Sequence, residues 1–335
     1  MGWVRVAPSI GRCADGVGVM TIPLIDISGF DGDDAEHRQE IADQWGAAFK
    51  TVGFASVAGH GISETLIESL YREAQSFFAS PLAQKMEAYD SAARHQGYSP
   101  MGQEAVGRSE GGKVAPTDLC ESIQFVDLHA VANRPAVWPA KLRPVERILC
   151  DFATEAAALE RKLMRITALA LDLDEDYFEP YYARMTTKLR LVNYPDQKEE
   201  PLPGQLRNAA HTDFGGFTIL RQDDAPGGLQ VRMPDGNWID VTPVPATLVI
   251  NAGDLIQRWT NDCFRSNLHR VINPPRGLTG STQRLSIVVF TGPNPDTLIR
   301  CLPTCAGETG PKYPPIISSD HTRERQRLAY LSAAG

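Results

Sequence analysis

His211-Thr212-Asp213-Phe214-Gly215-Gly216-Phe217 sets an imidazole and a carboxylate two residues apart, and Asn267-Leu268-His269-Arg270-Val271 supplies a second imidazole further along the chain. Side chains at i and i+2 of an extended strand leave the same face, so His211 and Asp213 can hold one cation between them. Two imidazoles and one carboxylate form the donor set of non-haem Fe(II) sites, which keep positions open for other ligands. The competing reading is a turn followed by a core histidine whose hydrogen bonds are satisfied.

Beyond His269, Gln283-Arg284-Leu285-Ser286-Ile287-Val288-Val289-Phe290 reads as a buried strand of branched and aromatic residues. Arg284 and Ser286 share one face of it. A guanidinium inside an apolar layer needs an anion to offset its desolvation, and its planar fork fits a carboxylate in two parallel hydrogen bonds. That anion is either a ligand or an Asp or Glu of the fold.

In this order and spacing, His211, Asp213, His269, Arg284 and Ser286 resemble the Fe(II)/2-oxoglutarate-dependent dioxygenases, in their isopenicillin N synthase-like branch. Ile22-Pro23-Leu24-Ile25-Asp26-Ile27-Ser28 is similar to that branch's amino-terminal strand. Gly53-Phe54-Ala55-Ser56-Val57-Ala58-Gly59-His60-Gly61-Ile62 resembles its Gly-Phe…His-Gly signature. Gly97-Tyr98-Ser99-Pro100, Asp118-Leu119-Cys120-Glu121-Ser122 and Leu189-Arg190-Leu191-Val192-Asn193-Tyr194-Pro195 continue the likeness in family order, from about Ile22 to Tyr330. One departure is Val192, where many plant members carry asparagine in Asn-Tyr-Tyr-Pro.

The resemblance implies a mainly β fold with flanking helices (α+β): a double-stranded β-helix, or jelly roll, with an N-terminal helical region and a long supporting helix. It divides the chain into residues 1–20, an extension or an upstream start; 21–125, the N-terminal helical and strand region; 126–184, a linker and supporting helix; 185–295, the catalytic core; and 296–335, a C-terminal segment. It implies that Fe(II) is held by His211, Asp213 and His269, and that 2-oxoglutarate is held through its far carboxylate by Arg284, Ser286 and Tyr194. O2 is the oxidant, ascorbate an accessory reductant, and succinate and CO2 the co-products of oxidising a C–H bond in a small molecule. Rivals are a 2-oxoglutarate-independent oxidase of the isopenicillin N synthase type, an ethylene-forming type, and a catalytically silent binding protein on the same scaffold.

Composition agrees. The 335 residues are 42% apolar, enough for a large core. A net charge of -8 argues against nucleic acid, which calls for a basic stripe. No stretch reads as a membrane span or signal peptide, so a soluble cytoplasmic protein is expected, a monomer with a dimer as the alternative. The six cysteines lack a Cys-x-x-Cys pair and read as reduced thiols, Cys301 and Cys305 included. Gly16-Val17-Gly18 lacks the strand and helix of a dinucleotide loop.

Apolar periodicity predicts helices over 34–50, from Ser63 to Pro81, and from Arg143 to Leu173, the last an amphipathic support. Residues 93–116, rich in Gly, Ser and charge, read as a long loop and a candidate lid. Strands are predicted at 217–221, 228–232, 238–241, 247–251, 268–272 and 284–291, with Met233-Pro234-Asp235-Gly236-Asn237-Trp238 as a hairpin and Ala252-Gly253-Asp254 as a second turn, Asp254 being structural. Phe290 and Phe214, with Phe217, either meet the substrate or fill the barrel. The segment from His321 to Leu331 reads as a helix that closes the mouth or packs outside.

Overall fold

Asp34 and Ser63 each open a helix by capping it. From extended backbone, Asp34 accepts from His37 N at 3.1 Å and Ser63 accepts from Leu66 N at 3.4 Å. Each satisfies a backbone donor that the first turn leaves without a partner. The computed structural model describes residues 21–89, 96–111, 116–130 and 142–329. The expected extension, Cys13 and Gly16-Val17-Gly18 lie outside the described residues, as do parts of the predicted 93–116 loop and Leu331. Among the described residues, no helix is long and apolar enough to cross a membrane.

The elements, in order, are β1 (Leu24–Asp26), α1 (Ala35–Thr51), β2 (Phe54–Ala58), α2 (Glu64–Phe78), α3 (Leu82–Met86), β3 (Gly97–Ser99), β4 (Glu121–Val126), α4 (Glu146–Ala170), α5 (Glu179–Tyr182), β5 (Thr186–Tyr194), β6 (Asn208–His211), β7 (Phe217–Gln222), β8 (Leu229–Arg232), β9 (Trp238–Asp240), β10 (Leu248–Ala252), α6 (Asp254–Trp259), β11 (His269–Val271), β12 (Arg284–Gly292), β13 (Leu298–Ile299), β14 (Ile316–Ile317) and α7 (Ser318–Ala329). An eight-stranded sheet runs β1-β2-β10-β7-β12-β5-β4-β3, and a four-stranded sheet runs β6-β11-β8-β9. This is the expected jelly roll with helices around it.

The apolar stripe of α4 (Leu149, Phe152, Ala156, Leu159, Leu163, Ile166) is buried, and the helix lies against α1, α2, β5 and β12. Trp45 of α1 is fully buried and donates to Thr167 of α4 at 3.0 Å. Truncating Leu149, Phe152, Leu159, Leu163 or Ile166 to alanine would cost on the order of 2–5 kcal/mol through transfer and cavity terms.

Register fixes the interior. Along β12, Arg284 lies opposite Tyr194, Ser286 opposite Val192, Val288 opposite Arg190 and Phe290 opposite Lys188. Period-2 alternation therefore lines these eight side chains along one sheet face.

Two predicted loops differ from the structure. The 93–116 stretch contains β3 and a 3₁₀ turn at Val106–Glu110. Asp254 is not in a plain turn: it begins α6, with Gly253 preceding it. A Cβ on Gly253 would lie 2.6 Å from Gly215 O and 2.8 Å from Gly216 O, so the close approach requires glycine. The approach lets Gly253, Asp254 and Leu255 donate their N–H groups to Gly216 O, Asp213 O and Gly215 O at 2.7, 2.7 and 3.0 Å. The turn residues thus start a helix whose first donors hold the Asp213 loop.

Candidate active site

β6 and β11 are hydrogen-bonded neighbours, and their register sets His211 directly opposite His269. The imidazole centroids are 4.3 Å apart. β6 ends at His211, so strand alternation alone does not place Asp213. Its carboxylate is held instead by Thr218 Oγ1 and Asn251 Nδ2, which both donate to Oδ2, at 2.6 and 2.7 Å. Oδ1 is left facing the histidines, 3.7 Å from each Nε2.

Each imidazole is oriented by its own strand. His211 Nδ1 lies 2.8 Å from Ala209 O and His269 Nδ1 3.1 Å from Asn267 O. A carbonyl only accepts, so both Nδ1 atoms carry a proton, and both Nε2 atoms face Asp213 Oδ1. Burial, then the neighbouring His269, pushes His211 down to about 4, so it is neutral at physiological pH. Burial works to raise Asp213, but the two imidazoles and the Thr218 and Asn251 bonds hold it below the usual carboxylate range. The three donor atoms lie within 4.8 Å of one another, on buried residues. Two imidazoles and one ionised carboxylate with a common focus fit a divalent iron ion.

Arg284 and Ser286 are buried, as is Tyr194 opposite Arg284. Arg284 Nη1 donates to Ala225 O and Gly227 O at 3.0 and 3.2 Å, and Nη2 donates to Gln222 Oε1 at 2.6 Å. Asp223 comes within 3.5 Å of Nη1, so an anion of the fold does face this guanidinium. Asp223 is already engaged, however, by Leu285 N at 2.6 Å and Ala225 N at 3.2 Å. Arg284 Nε is buried with no hydrogen-bond partner among the described residues.

Arg207 adds a second guanidinium to this corner, 6.0 Å from the Tyr194 ring centroid, with an equally unpartnered buried Nε. Burial, then the charge of Arg284, pushes Arg207 down to about 10. Two buried cations beside one engaged carboxylate suit a further anion, such as the far carboxylate of a keto acid. Arg207 was not anticipated, since it lies outside the Arg-x-Ser strand.

A cavity of about 540 Å³ opens beside the triad, with His211, Asp213, Phe214, Phe290, Lys188 and Gln124 in its wall. Both aromatics named from the sequence therefore face it; Phe217 is instead fully buried against Trp45 and Phe49. Arg284, Ser286 and Tyr194 lie further along the same sheet face and do not line this cavity.

α7 lies over the mouth and contributes Thr322, Arg323 and Gln326 to the wall. Arg325 fastens it. This guanidinium donates to Ser109 O at 2.7 Å, to Glu110 and to Thr212 Oγ1 at 2.9 Å, lies 3.2 Å from Asp254 Oδ2, and sits 4.9 Å from the Phe214 ring centroid. Of the two readings of the C-terminal helix, the structure has the closing one. Asn251 had a legible signal, a polar residue inside an apolar strand; Arg325 had none, because its partners come from three distant segments.

Residues 22–141 match the family model of the non-haem dioxygenase in morphine synthesis N-terminal region, and residues 186–293 match that of the 2OG-Fe(II) oxygenase superfamily. A 2-oxoglutarate-Fe(II) type oxidoreductase of Emericella nidulans, hxnY, is 32% identical over 322 residues, covering 92% of this chain and 90% of its own. The proline hydroxylase buaE of Petromyces alliaceus is 33% identical over 297 residues, covering 84% of this chain and 91% of its own. Among solved structures, a full-length Neurospora crassa protein in complex with alpha-KG and thymine superposes with a TM-score of 0.81 at 33% identity, over 95% of this chain and 98% of that one.

Proposed function

This chain belongs to the Fe(II)/2-oxoglutarate-dependent oxygenases, and within that family we propose that it hydroxylates a small polar molecule, with His211, Asp213 and His269 holding the iron and Arg284, Ser286 and Tyr194 holding the far carboxylate of 2-oxoglutarate. When bound, iron and 2-oxoglutarate supply the oxidising power that turns O2 and a substrate C–H bond into an alcohol, with succinate and CO2 as co-products.

The carrying observation is the common focus of the two Nε2 atoms and Asp213 Oδ1, each fixed by a bond at its other end. His211, held neutral by burial, can donate its Nε2 lone pair without first losing a proton, and the carboxylate supplies a fixed negative charge. The unpartnered Nε of Arg284 and the Ser286 hydroxyl, which has no hydrogen bond among the described residues, supply donors for a carboxylate. Phe214 and Phe290 orient a substrate against the triad, which lowers the entropic cost of reaction. α7, fastened by Arg325, limits entry of bulk water.

Hydroxylation is favoured by the relatives named for it, the proline hydroxylase and the homoarginine-6-hydroxylases of rice and soybean. A small substrate is favoured by the cavity of about 540 Å³.

An anaerobic titration of the Fe(II)-loaded protein with 2-oxoglutarate tests the site. A saturable visible charge-transfer band of a chelated keto acid is expected. No band despite stoichiometric iron overturns the 2-oxoglutarate roles and moves Arg284 to a substrate carboxylate, as in the oxidase type. Ethylene in the headspace would identify fragmentation of 2-oxoglutarate itself.

A further inference from the structure

Lys188 projects from β5 into the cavity wall, opposite Phe290 of β12 on one side and Val126 of β4 on the other. Its ammonium makes no hydrogen bond and no salt bridge among the described residues. The other charges near it are engaged. Arg190, next on the same face, is paired with Glu104 at 2.5 Å, and Arg323 of α7 with Asp320 at 3.1 Å. Asp127, the carboxylate that acts on Lys188 from a distance, accepts from Thr187 N at 2.6 Å. The remaining carboxylate of the wall, Asp213, belongs to the triad.

Gln124 of β4 lies beside this lysine on the same face, across from Arg190. It is 4% exposed, lines the cavity, and its amide has no hydrogen bond among the described residues. Lys188 is half-buried and Gln124 buried, both line the cavity, and with neither side chain hydrogen-bonded among the described residues a ligand in the cavity can take up their donors.

We infer that the substrate is a small carboxylic acid whose carboxylate pairs with Lys188 and accepts a further hydrogen bond from Gln124. This rests on the proposed oxygenase site and names the chemistry of its substrate. One unpaired cation calls for one negative charge, which fits a carboxylate better than a phosphate dianion. Phe290 directly opposite Lys188 gives the apolar or planar remainder of the molecule a surface to lie on, while the carboxylate fixes which carbon faces the triad. Burial, then the neighbouring Arg190, lowers Lys188 to about 8, a penalty that a bound anion relieves.

The test is a calorimetric binding screen of the Fe(II)- and 2-oxoglutarate-loaded protein, kept anaerobic. Its probes are small acids paired with their own carboxamides: uracil-5-carboxylate, L-proline, and a set of aromatic and heteroaromatic monocarboxylates of similar size. At least one acid is expected to bind tenfold or more tightly than its amide, to lose that preference in Lys188→Met, and to recover it in Lys188→Arg, which restores the charge. Tighter binding of the amides, binding confined to phosphate esters, no acid bound at all, or an acid preference that survives Lys188→Met each overturns the inference. Failure of the loaded protein to bind 2-oxoglutarate, measured first, would defeat the oxygenase site and not this assignment alone.

Discussion

Asn251 and Thr218 stand directly opposite each other on β10 and β7, and both donate to the same oxygen of Asp213, at 2.7 and 2.6 Å. A cross-strand pair in the eight-stranded sheet thereby sets the angle of a carboxylate that belongs to neither strand. Groups that orient a metal ligand in this way typically account for 10–100-fold in affinity. Asn251→Ala and Thr218→Val are each expected to weaken Fe(II) binding by that order, about 1.4 to 2.7 kcal/mol, in an anaerobic metal titration. Unchanged affinity in the double variant would show that the α6 amides alone hold the loop.

Arg284 offers a separable prediction, because its guanidinium serves both the fold and the proposed co-substrate. Arg284→Lys keeps the charge but loses the fork that reaches Gln222, Ala225 and Gly227. 2-Oxoglutarate affinity is expected to fall by about a hundredfold, through loss of the planar fork that a carboxylate meets in two parallel hydrogen bonds, while Fe(II) affinity stays within a few-fold. The charge-transfer titration reads the first and a metal titration the second. Full retention of 2-oxoglutarate affinity would leave Arg284 with Asp223 as its sole anion.

The sequence made most elements legible because the periodicities are strong: α4 carries its apolar stripe without interruption, and β12 is bounded by turn residues. The grouping of the proposed metal ligands was partly legible, since His211 and His269 sit on strands where spacing fixes direction. Asp213 was only half legible. Its neighbourhood was read as a continuing strand, yet the chain has left the sheet there, and its orientation comes from Thr218, Asn251 and the α6 amides. Gly253 was taken as a turn former because glycine marks turns as readily as close backbone contacts, and one chain alone does not tell them apart. Lys188, Gln124 and Arg207 stayed hidden for a different reason. Their meaning depends on which neighbours are already paired, a property of the assembled barrel.

Arg325 ties α7 to the 3₁₀ turn through Glu110 and Ser109, to the metal loop through Thr212 and to α6 through Asp254. Its side chain is about 19% exposed, so these bonds are partly shielded from solvent. Arg325→Ala is expected to expose α7 to limited proteolysis and hydrogen exchange, to raise the substrate KM about tenfold, and to increase 2-oxoglutarate consumption that is not matched by product. If α7 stays as protected as in the unaltered protein, apolar packing of the helix fastens the mouth instead.

Glu160 is 0% exposed on α4, and neither carboxyl oxygen has a hydrogen-bond partner among the described residues. Burial pushes it up to about 8, with Thr291 and Arg161 drawing it only partly back. The sign follows from proton binding. Below the ordinary value of 4.5 both folded and unfolded chains hold the proton, so the group is neutral to stability. From there to about 8 the unfolded chain releases a proton that the fold keeps, so stability falls as pH rises. At about 1.36 kcal/mol per pH unit, the cost near neutrality is on the order of 3 kcal/mol. Glu160→Gln removes the titration while keeping the shape. Its melting temperature is expected to exceed that of the unaltered protein at pH 7.5, with the gain shrinking steadily toward pH 5. An equal gain at both pH values would assign the effect to packing, and a loss at both would show that the amide meets no acceptor beside Tyr182 and Thr291.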